Sequence, residues 1–382
     1  MPTQVRRALG AVFVARTAAN AGLRIVYPFL PAIARGLDVT PGALASLIAL
    51  RNLSGVTAPV AARIGERTGR RWMMLVSVGA VAVGCAVTAS SSLFVVAGIG
   101  IVLVGIAKPA FDVSMQAWFG DRVPYSERGR VFGITELTWS IALLVVPLSG
   151  WLIAVTDWRA PFVLISVFAV AGTVAVWRGI DSDRPHEDDR RPLELTGPRV
   201  RILAVAFLFT VASEIPFIVY GQWLEGSFGL SVTGIGAFTL AVVVAELIGE
   251  GAVVVVADRL GLKRMTLGGL ALSGVAYLGF SMTGASVVLG VLVVMVWIAA
   301  FEVTIVAAIP LVSELATEAR GRLLSLLSVV VVAGRAVGAL AGQPLYAAGG
   351  IAWNGLVAAA CVGAAALLLL PVREPVGATT ST

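Results

Sequence analysis

Glu66-Arg67-Thr68-Gly69-Arg70-Arg71 returns 192 residues later (66 to 258) as Asp258-Arg259-Leu260-Gly261-Leu262-Lys263. Arg128-Gly129-Arg130 returns as Arg320-Gly321-Arg322 at the same offset. Ile25-Val26-Tyr27, followed by Val39-Thr40, returns as Ile218-Val219-Tyr220 with Val232-Thr233, one residue out of that register. A single match of this kind arises by chance. Several anchors in nearly one register, spread over most of a 382-residue chain, mark an internal duplication.

Composition says what was duplicated. With 58% hydrophobic residues, 13% charged residues and a mean hydropathy of +0.94, the chain holds more apolar surface than a soluble core hides. Crossing a bilayer takes roughly 20 apolar residues. The sequence predicts twelve such spans, starting near residues 9, 42, 72, 93, 130, 160, 200, 232, 264, 286, 321 and 350. The expected fold is therefore an all-α membrane protein of two six-helix bundles, residues 1–178 and 200–372. A linker, 179–199, joins them, and a tail, 373–382, follows. Pro185, Pro192 and Pro198 punctuate the linker around Glu187-Asp188-Asp189-Arg190-Arg191, a solvated composition. Two tandem halves in a membrane point to transport, because a site between similar bundles opens to either side when one rocks against the other.

Orientation follows from the loop cations. With the N-terminus in the cytoplasm, inner loops and tails hold 21 Lys and Arg residues and outer loops hold two, Arg35 and Arg159. Both termini and the linker are thus expected inside, in the plasma (inner) membrane of a bacterium. The net charge of +6 and pI near 9.9 then reflect loop bias toward anionic lipid, and no solvated basic face is long enough for nucleic acid. Arg6-Arg7 precede an apolar run without a small-residue cleavage site, so the segment reads as a retained first helix. Cys85 and Cys361 stand singly in separate spans and read as packing residues. Trp72, Trp118, Trp151, Trp158, Trp177, Trp223 and Trp353 fall at or near span ends, as interfacial anchors do, whereas Trp139 and Trp297 lie deeper.

The turn after the second span resembles the G-x-x-x-D-R-x-G-R-R motif of the major facilitator superfamily. Ala62, Glu66, Arg67, Gly69, Arg70 and Arg71 occupy its places, with Ala62 for Gly and Glu66 for Asp; the second copy keeps Asp258, Arg259 and Gly261 but has Leu262 for an Arg. The resemblance covers essentially the whole chain. It implies the twelve-helix major facilitator fold and a gating role for Glu66, Arg67, Arg70, Arg71, Asp258 and Arg259, with Gly69 and Gly261 supplying a tight turn. The fifth-helix signature of the drug/proton antiporter branch, G-x-x-x-G-P-x-x-G, is present only as Pro147 and Gly150, with Ala142 and Val146 at the other places. Gly334, Gly338 and Gly342 repeat every fourth residue, a pattern that brings helices close.

Eleven ionisable residues fall inside the spans: Arg16, Arg24, Arg51, Lys108, Asp112, Glu136, Glu214, Glu246, Glu250, Glu302 and Arg335. Spans three, six, nine and twelve carry none, and in the family these are the lipid-facing helices. A charge at the bilayer centre costs at least ~2.5 to 3.5 kcal/mol on insertion scales, so these residues require burial, pairing or a wet cavity. The first half sums to +2 and the second to −3. Lys108 and Asp112, four apart, read either as a structural ion pair or as a site. Glu246 and Glu250, also four apart, are the first candidates for proton handling, since neighbouring carboxylates tend to share a proton; the alternative pairs one of them with Arg335. Glu214 and Arg24 sit midway along spans that line the family's cavity. Arg16, Glu136 and Glu302 lie nearer the cytoplasmic end, where gates act, and Arg51 suits either role.

The expected function is secondary active transport by alternating access, with proton-coupled efflux of amphipathic small molecules. The alternatives are uptake or exchange of a polar or zwitterionic metabolite, lipid translocation, or a non-transporting receptor or channel. The expected partners are a small-molecule substrate, protons and membrane lipids, the expected state is a monomer, and no cofactor is expected. An enzyme built on clustered His or Cys is implausible with His186 as the sole histidine. No lysine stands in a phosphate-binding Gly-Lys-Ser/Thr setting, which excludes a P-loop motor.

Overall fold

The computed structural model describes residues 3–123, 125–182, 194–315 and 320–372. Among them the regular secondary structure is helical throughout. In chain order the helices are α1 Thr3–Arg24, α2 Leu30–Gly36, α3 Pro41–Leu53, α4 Ala58–Thr68, α5 Arg70–Ser90, α6 Phe94–Arg122, α7 Tyr125–Leu143 and α8 Val145–Val155. They continue as α9 Ala160–Gly179, α10 Gly197–Phe217, α11 Tyr220–Phe228, α12 Val232–Leu260, α13 Leu262–Gly279, α14 Val287–Glu314 and α15 Arg320–Leu369. The chain forms two compact units: residues 1–188 with 231–239, and residues 189–230 with 240–382.

Among the described residues, ten helical stretches are long and apolar enough to cross a bilayer, rather than the twelve expected. Two physical facts account for the difference. Helix α1 carries Arg6, Arg7, Arg16 and Arg24 and falls short on apolarity. The stretch Leu323–Leu369 runs to 47 residues, too long for one crossing at 1.5 Å per residue. It breaks at Gly349 and Gly350, where φ is 65° at Gly350, so it supplies two rods.

Local sequence explains where helices stop and start. Thr40 caps α3, its hydroxyl accepting from the Ala43 amide at 3.1 Å, with Pro41 in the first turn. Ser286 caps α14 in the same way through Leu289. Such caps satisfy amides that have no partner within the helix. The repeat is expressed in the backbone: Gly69 has φ 100° and Gly261 has φ 83°. Both end one helix and start the next in a conformation that costs a side-chain-bearing residue strain. The Ile-Val-Tyr anchor is also explained. Ile25–Tyr27 and Ile218–Val219 lie where the first rod of each repeat breaks, between α1 and α2 and between α10 and α11.

Each break leaves a carbonyl that needs a donor, and each unit provides a buried side chain. Arg51 Nη1 donates to Leu23 O at 2.9 Å in the first unit. In the second, Asn354 Nδ2 donates to Ile215 O at 3.2 Å and to Gly342 O at 2.8 Å. Arg51 is buried, lies across Gly105 of α6 and also reaches Tyr27 Oη at 2.9 Å.

The glycine stripe packs α15 onto α10. A Cβ at Gly338 would stand 2.6 Å from Val211 O and 2.7 Å from Glu214 Cβ, and one at Gly342 would stand 2.6 Å from Ile215 O. Backbones this close exclude any side chain between them. Large exposed apolar side chains run along α5 (Val76, Val83), α9 (Val163, Val167, Val170), α13 (Leu272, Val275) and the last rod (Leu356, Leu367). Those are the four spans without charge.

The tryptophans divide. Trp72, Trp151, Trp177 and Trp353 are exposed at helix ends, as interfacial anchors require. Trp118, Trp158 and Trp223 are buried, which corrects the expectation for them. Trp118 lies edge-on to Phe119, Trp158 to Phe162, and Trp223 to Phe228 and Phe280, so core packing takes the place of the interface. Cys85 is buried and Cys361 half-buried, and both are free thiols.

Candidate functional site

In the first unit, α1, α6 and α7 bring five charged side chains into one cluster. Arg16 is buried on α1, and its guanidinium serves as the hub. Its Nε meets Asp112 Oδ1 at 3.0 Å and its Nη2 meets Glu136 Oε1 at 3.0 Å. Nη1 donates to the carbonyl of Thr135. Lys108 Nζ holds the other oxygen of Asp112. The expected Lys108–Asp112 pair therefore forms, as part of a chain of four alternating charges that reaches across three helices. A buried ion needs several such contacts to offset its lost hydration.

Next to this chain Arg24 and Lys108 address one indole. Arg24 Cζ lies 4.4 Å and Lys108 Nζ 5.1 Å from the ring centroid of Trp139, both within cation–π range. Arg24 Nη1 also donates to Trp139 O at 3.2 Å. Buried Asn20, one turn before Arg24, donates to Thr138 Oγ1 at 3.2 Å. Neither Asn20 nor Thr138 was an expected site residue; both carry small polar groups that an inventory of charges passes over.

In the second unit Arg335 Nε meets Glu214 Oε2 at 2.9 Å, with the Glu214 side chain buried. The glycine stripe sets Arg335 beside α10, and α10 offers Glu214, a partner that sequence spacing did not suggest for it. Glu246 is buried, Glu250 half-buried and Glu302 buried. Gly249 is what brings α12 and α14 together, since a Cβ there would lie 2.7 Å from Glu302 Cβ. The three glutamates thus stand on two closely packed helices.

The charged turns fasten helix ends. Arg70 Nη1 donates to Ala117 O at 2.8 Å and pairs with Asp121 at the end of α6. Arg71 Nη2 donates to Trp177 O at 2.6 Å, near the end of α9. Lys263, the repeat partner of Arg71, does the same in the second unit, donating to Leu370 O at 2.8 Å. Cations at helix C-termini also meet the negative end of the helix dipole. Glu66 is half-buried and Arg67 and Arg259 are exposed. The Asp258 side chain, like those of Arg128, Arg130, Arg320 and Arg322, lies outside the described residues, as do linker residues 183–193 and the tail 373–382. Asp121 is a partner that sequence spacing did not reveal, being 51 residues from Arg70. Among the described residues no group of three or more His, Cys, Asp or Glu side chains is placed to hold a metal ion.

Comparison with known proteins accounts for both repeats. The family model described as Major Facilitator Superfamily matches residues 12–204 and again residues 202–382. The chain belongs to the major facilitator superfamily. Among its relatives, the uncharacterized MFS-type transporter YwfA of Bacillus subtilis (strain 168) is 24% identical over 88% of this chain and 84% of its own. The class G tetracycline resistance protein of Vibrio anguillarum is 26% identical over 88% and 89%. The crystal structure of the human organic anion transporter MFSD10 (TETRAN) superposes with a TM-score of 0.73, covering 97% of this chain and all of that one at 17% identity. This superfamily member is a multi-pass membrane transporter with the major facilitator fold, and not an enzyme.

Proposed function

We propose that this superfamily member is a secondary carrier that works by alternating access, exporting amphipathic small molecules in exchange for protons. The carrying observation is the set of ion pairs kept inside the spans, Arg16–Asp112–Lys108 in one unit and Glu214–Arg335 in the other. Charges held at membrane depth, at ~2.5 to 3.5 kcal/mol each on insertion scales, mark ion and substrate paths. Export draws support from the tetracycline resistance protein among the relatives. Arg24, Arg51, Lys108, Asp112, Glu136, Glu214, Glu246, Glu250, Glu302 and Arg335 are the proposed pathway residues.

Within that set, Glu246 and Glu250 are the proposed proton carriers, one turn apart on α12 beside Glu302. Glu66, Arg67, Arg70, Arg71, Asp258 and Arg259 are the proposed gate. The proposed setting is a monomer in a bacterial inner membrane, with both termini and linker 179–199 in the cytoplasm. Purified protein in liposomes with an imposed pH gradient tests the coupling. Glu246→Gln or Glu250→Gln should abolish gradient-driven accumulation and leave substrate exchange intact. Full proton-driven transport in both variants would reject these two glutamates as carriers.

A further inference from the structure

We propose that the end of the first unit where α1, α5 and α9 meet binds one anionic phospholipid. Arg178 and Arg7 take its phosphate, Trp72 and Trp177 flank the headgroup, and its acyl chains lie along α5 and α9.

Two arginines from different helices tie this end together. Arg7 of α1 donates to the carbonyl of Arg178, and Arg71 of α5 donates to Trp177 O at 2.6 Å. Two of the last carbonyls of α9 are thus covered by cations, which offsets the negative helix end where an anion would arrive. The guanidinium of Arg178 is not spent on this fastening. It is exposed, and among the described residues it makes no hydrogen bond or ion pair. Arg7 is exposed as well, and it commits one nitrogen of a group that carries five N–H donors.

Charge here favours an anion. Helices α1, α5 and α9 contain no acidic residue. Just beyond α9, Asp181 accepts from Gln4 Nε2 at 2.6 Å. Arg7 and Arg178 outnumber it, and a phosphodiester takes up the difference, bound by the guanidinium forks that match its oxygens.

Below the cations the surface suits a lipid. Trp72 is 62% exposed and Trp177 59%, one on each of two helices that lie side by side. Ser166 of α9 donates to Ala82 O of α5 at 2.8 Å further along the same contact. Indoles exposed at helix ends sit at headgroup level. From Trp177 an exposed stripe continues through Val174, Val170 and Val167, and from Trp72 another runs through Val76. Trp177 to Val167 spans ten residues, about 15 Å of helix, which is the depth of one leaflet.

The second unit keeps the fastening and lacks the site. Lys263, at the place of Arg71 in the repeat (263 − 71 = 192), donates to Leu370 O at 2.8 Å. By the same offset Trp72 corresponds to Arg264 and Arg178 to Leu370, while Leu369, at the place of Trp177, is buried. Fastening helix ends therefore needs neither exposed indoles nor a spare guanidinium beside them. Those features of the first unit serve a ligand.

The test is native mass spectrometry of the full chain, released from micelles that hold equal amounts of phosphatidylglycerol and phosphatidylcholine with the same acyl chains. One phosphatidylglycerol should be retained about fivefold or more over phosphatidylcholine, a factor worth about 1 kcal/mol, the contribution of one basic residue beside anionic lipid. Arg178→Gln, with its melting curve checked, should erase most of that preference. Arg264→Gln removes the same charge from an exposed position in the second unit and should leave the preference unchanged. Trp72→Ala together with Trp177→Ala should lower retention, and Trp353→Ala, which removes an exposed indole of the second unit, should not. Equal retention of the two lipids by the parent chain overturns the proposal. So does an equal fall in Arg178→Gln and Arg264→Gln, which would show attraction by net charge alone, or unchanged retention without Trp72 and Trp177. A two-chain species that disappears in Arg178→Gln would assign the face to a second copy and overturn it too.

Discussion

Arg335 Nε lies 2.9 Å from Glu214 Oε2, and the two residues belong to helices that the glycine stripe presses together. The Glu214 side chain is 2% exposed and that of Arg335 29%. The carboxylate is therefore the member that depends on the pair. Removing the arginine strips a buried ion of a charged partner, whereas removing both ends leaves an apolar contact.

Arg335→Met should lower stability by about 3 kcal/mol, the range seen when one member of a buried pair is lost. The double variant Glu214→Gln with Arg335→Met should recover most of it. Thermal melting in detergent measures both. Equal loss in the single and double variants would show that the ion pair contributes nothing beyond packing.

Within the first-unit cluster the two carboxylates should differ. Asp112 is held by Arg16 and Lys108 together, so Asp112→Asn should cost about 3 kcal/mol. Glu136 is mostly solvent-accessible, and Glu136→Gln should cost under about 1 kcal/mol. A comparable drop in melting temperature for the two would contradict this ranking.

Asn354 is buried in the last rod and donates to the Ile215 carbonyl, next to the break between α10 and α11, and to the Gly342 carbonyl. Asn354→Leu removes both bonds and should cost about 2 kcal/mol, chiefly from acceptors left unsatisfied. Stability at or above that of the parent protein would mean that water or a local shift satisfies Ile215 O and Gly342 O instead.

Gly69 and Gly261 share a positive φ, at 100° and 83°. Alanine at either should cost about 1 kcal/mol or more through backbone strain. Because the turns are repeat equivalents, the two melting shifts should be similar. A shift at one position and none at the other would show that the turns are not held alike.

Ser182 is exposed just after α9. With the linker in the cytoplasm, a cysteine placed there should react with a membrane-impermeant maleimide in inverted vesicles and not in intact cells. Labelling of intact cells would reverse the topology.

Much of this architecture was legible in the sequence because the bilayer narrows what a chain can do. Apolar runs of bilayer length become helices, since no other local structure satisfies the backbone in lipid. The duplication is written in residues that turns require, and Gly69 with Gly261 and Arg71 with Lys263 take matching structural roles. The four spans without charge carry exposed apolar side chains, as do stretches of α6, α12 and α14. The Gly334–Gly338–Gly342 spacing foretold a close helix contact, although not which helix it would meet.

Partners across long sequence separations were decided by tertiary structure alone. Sequence placed Arg335 near membrane depth without pointing to Glu214, which the packing of α15 on α10 brings to it. The Lys108–Asp112 pair was visible as a four-residue step on one helix, yet its union with Arg16 and Glu136 depends on how α1 and α7 pack against α6. Trp118, Trp158 and Trp223 sit at span ends by count and in the core by packing, because position along a helix says nothing about which neighbour covers its face. Spacing along one helix fixes which side chains share a face. Which faces meet is set by close packing among rods, and there a single glycine outweighs any local preference.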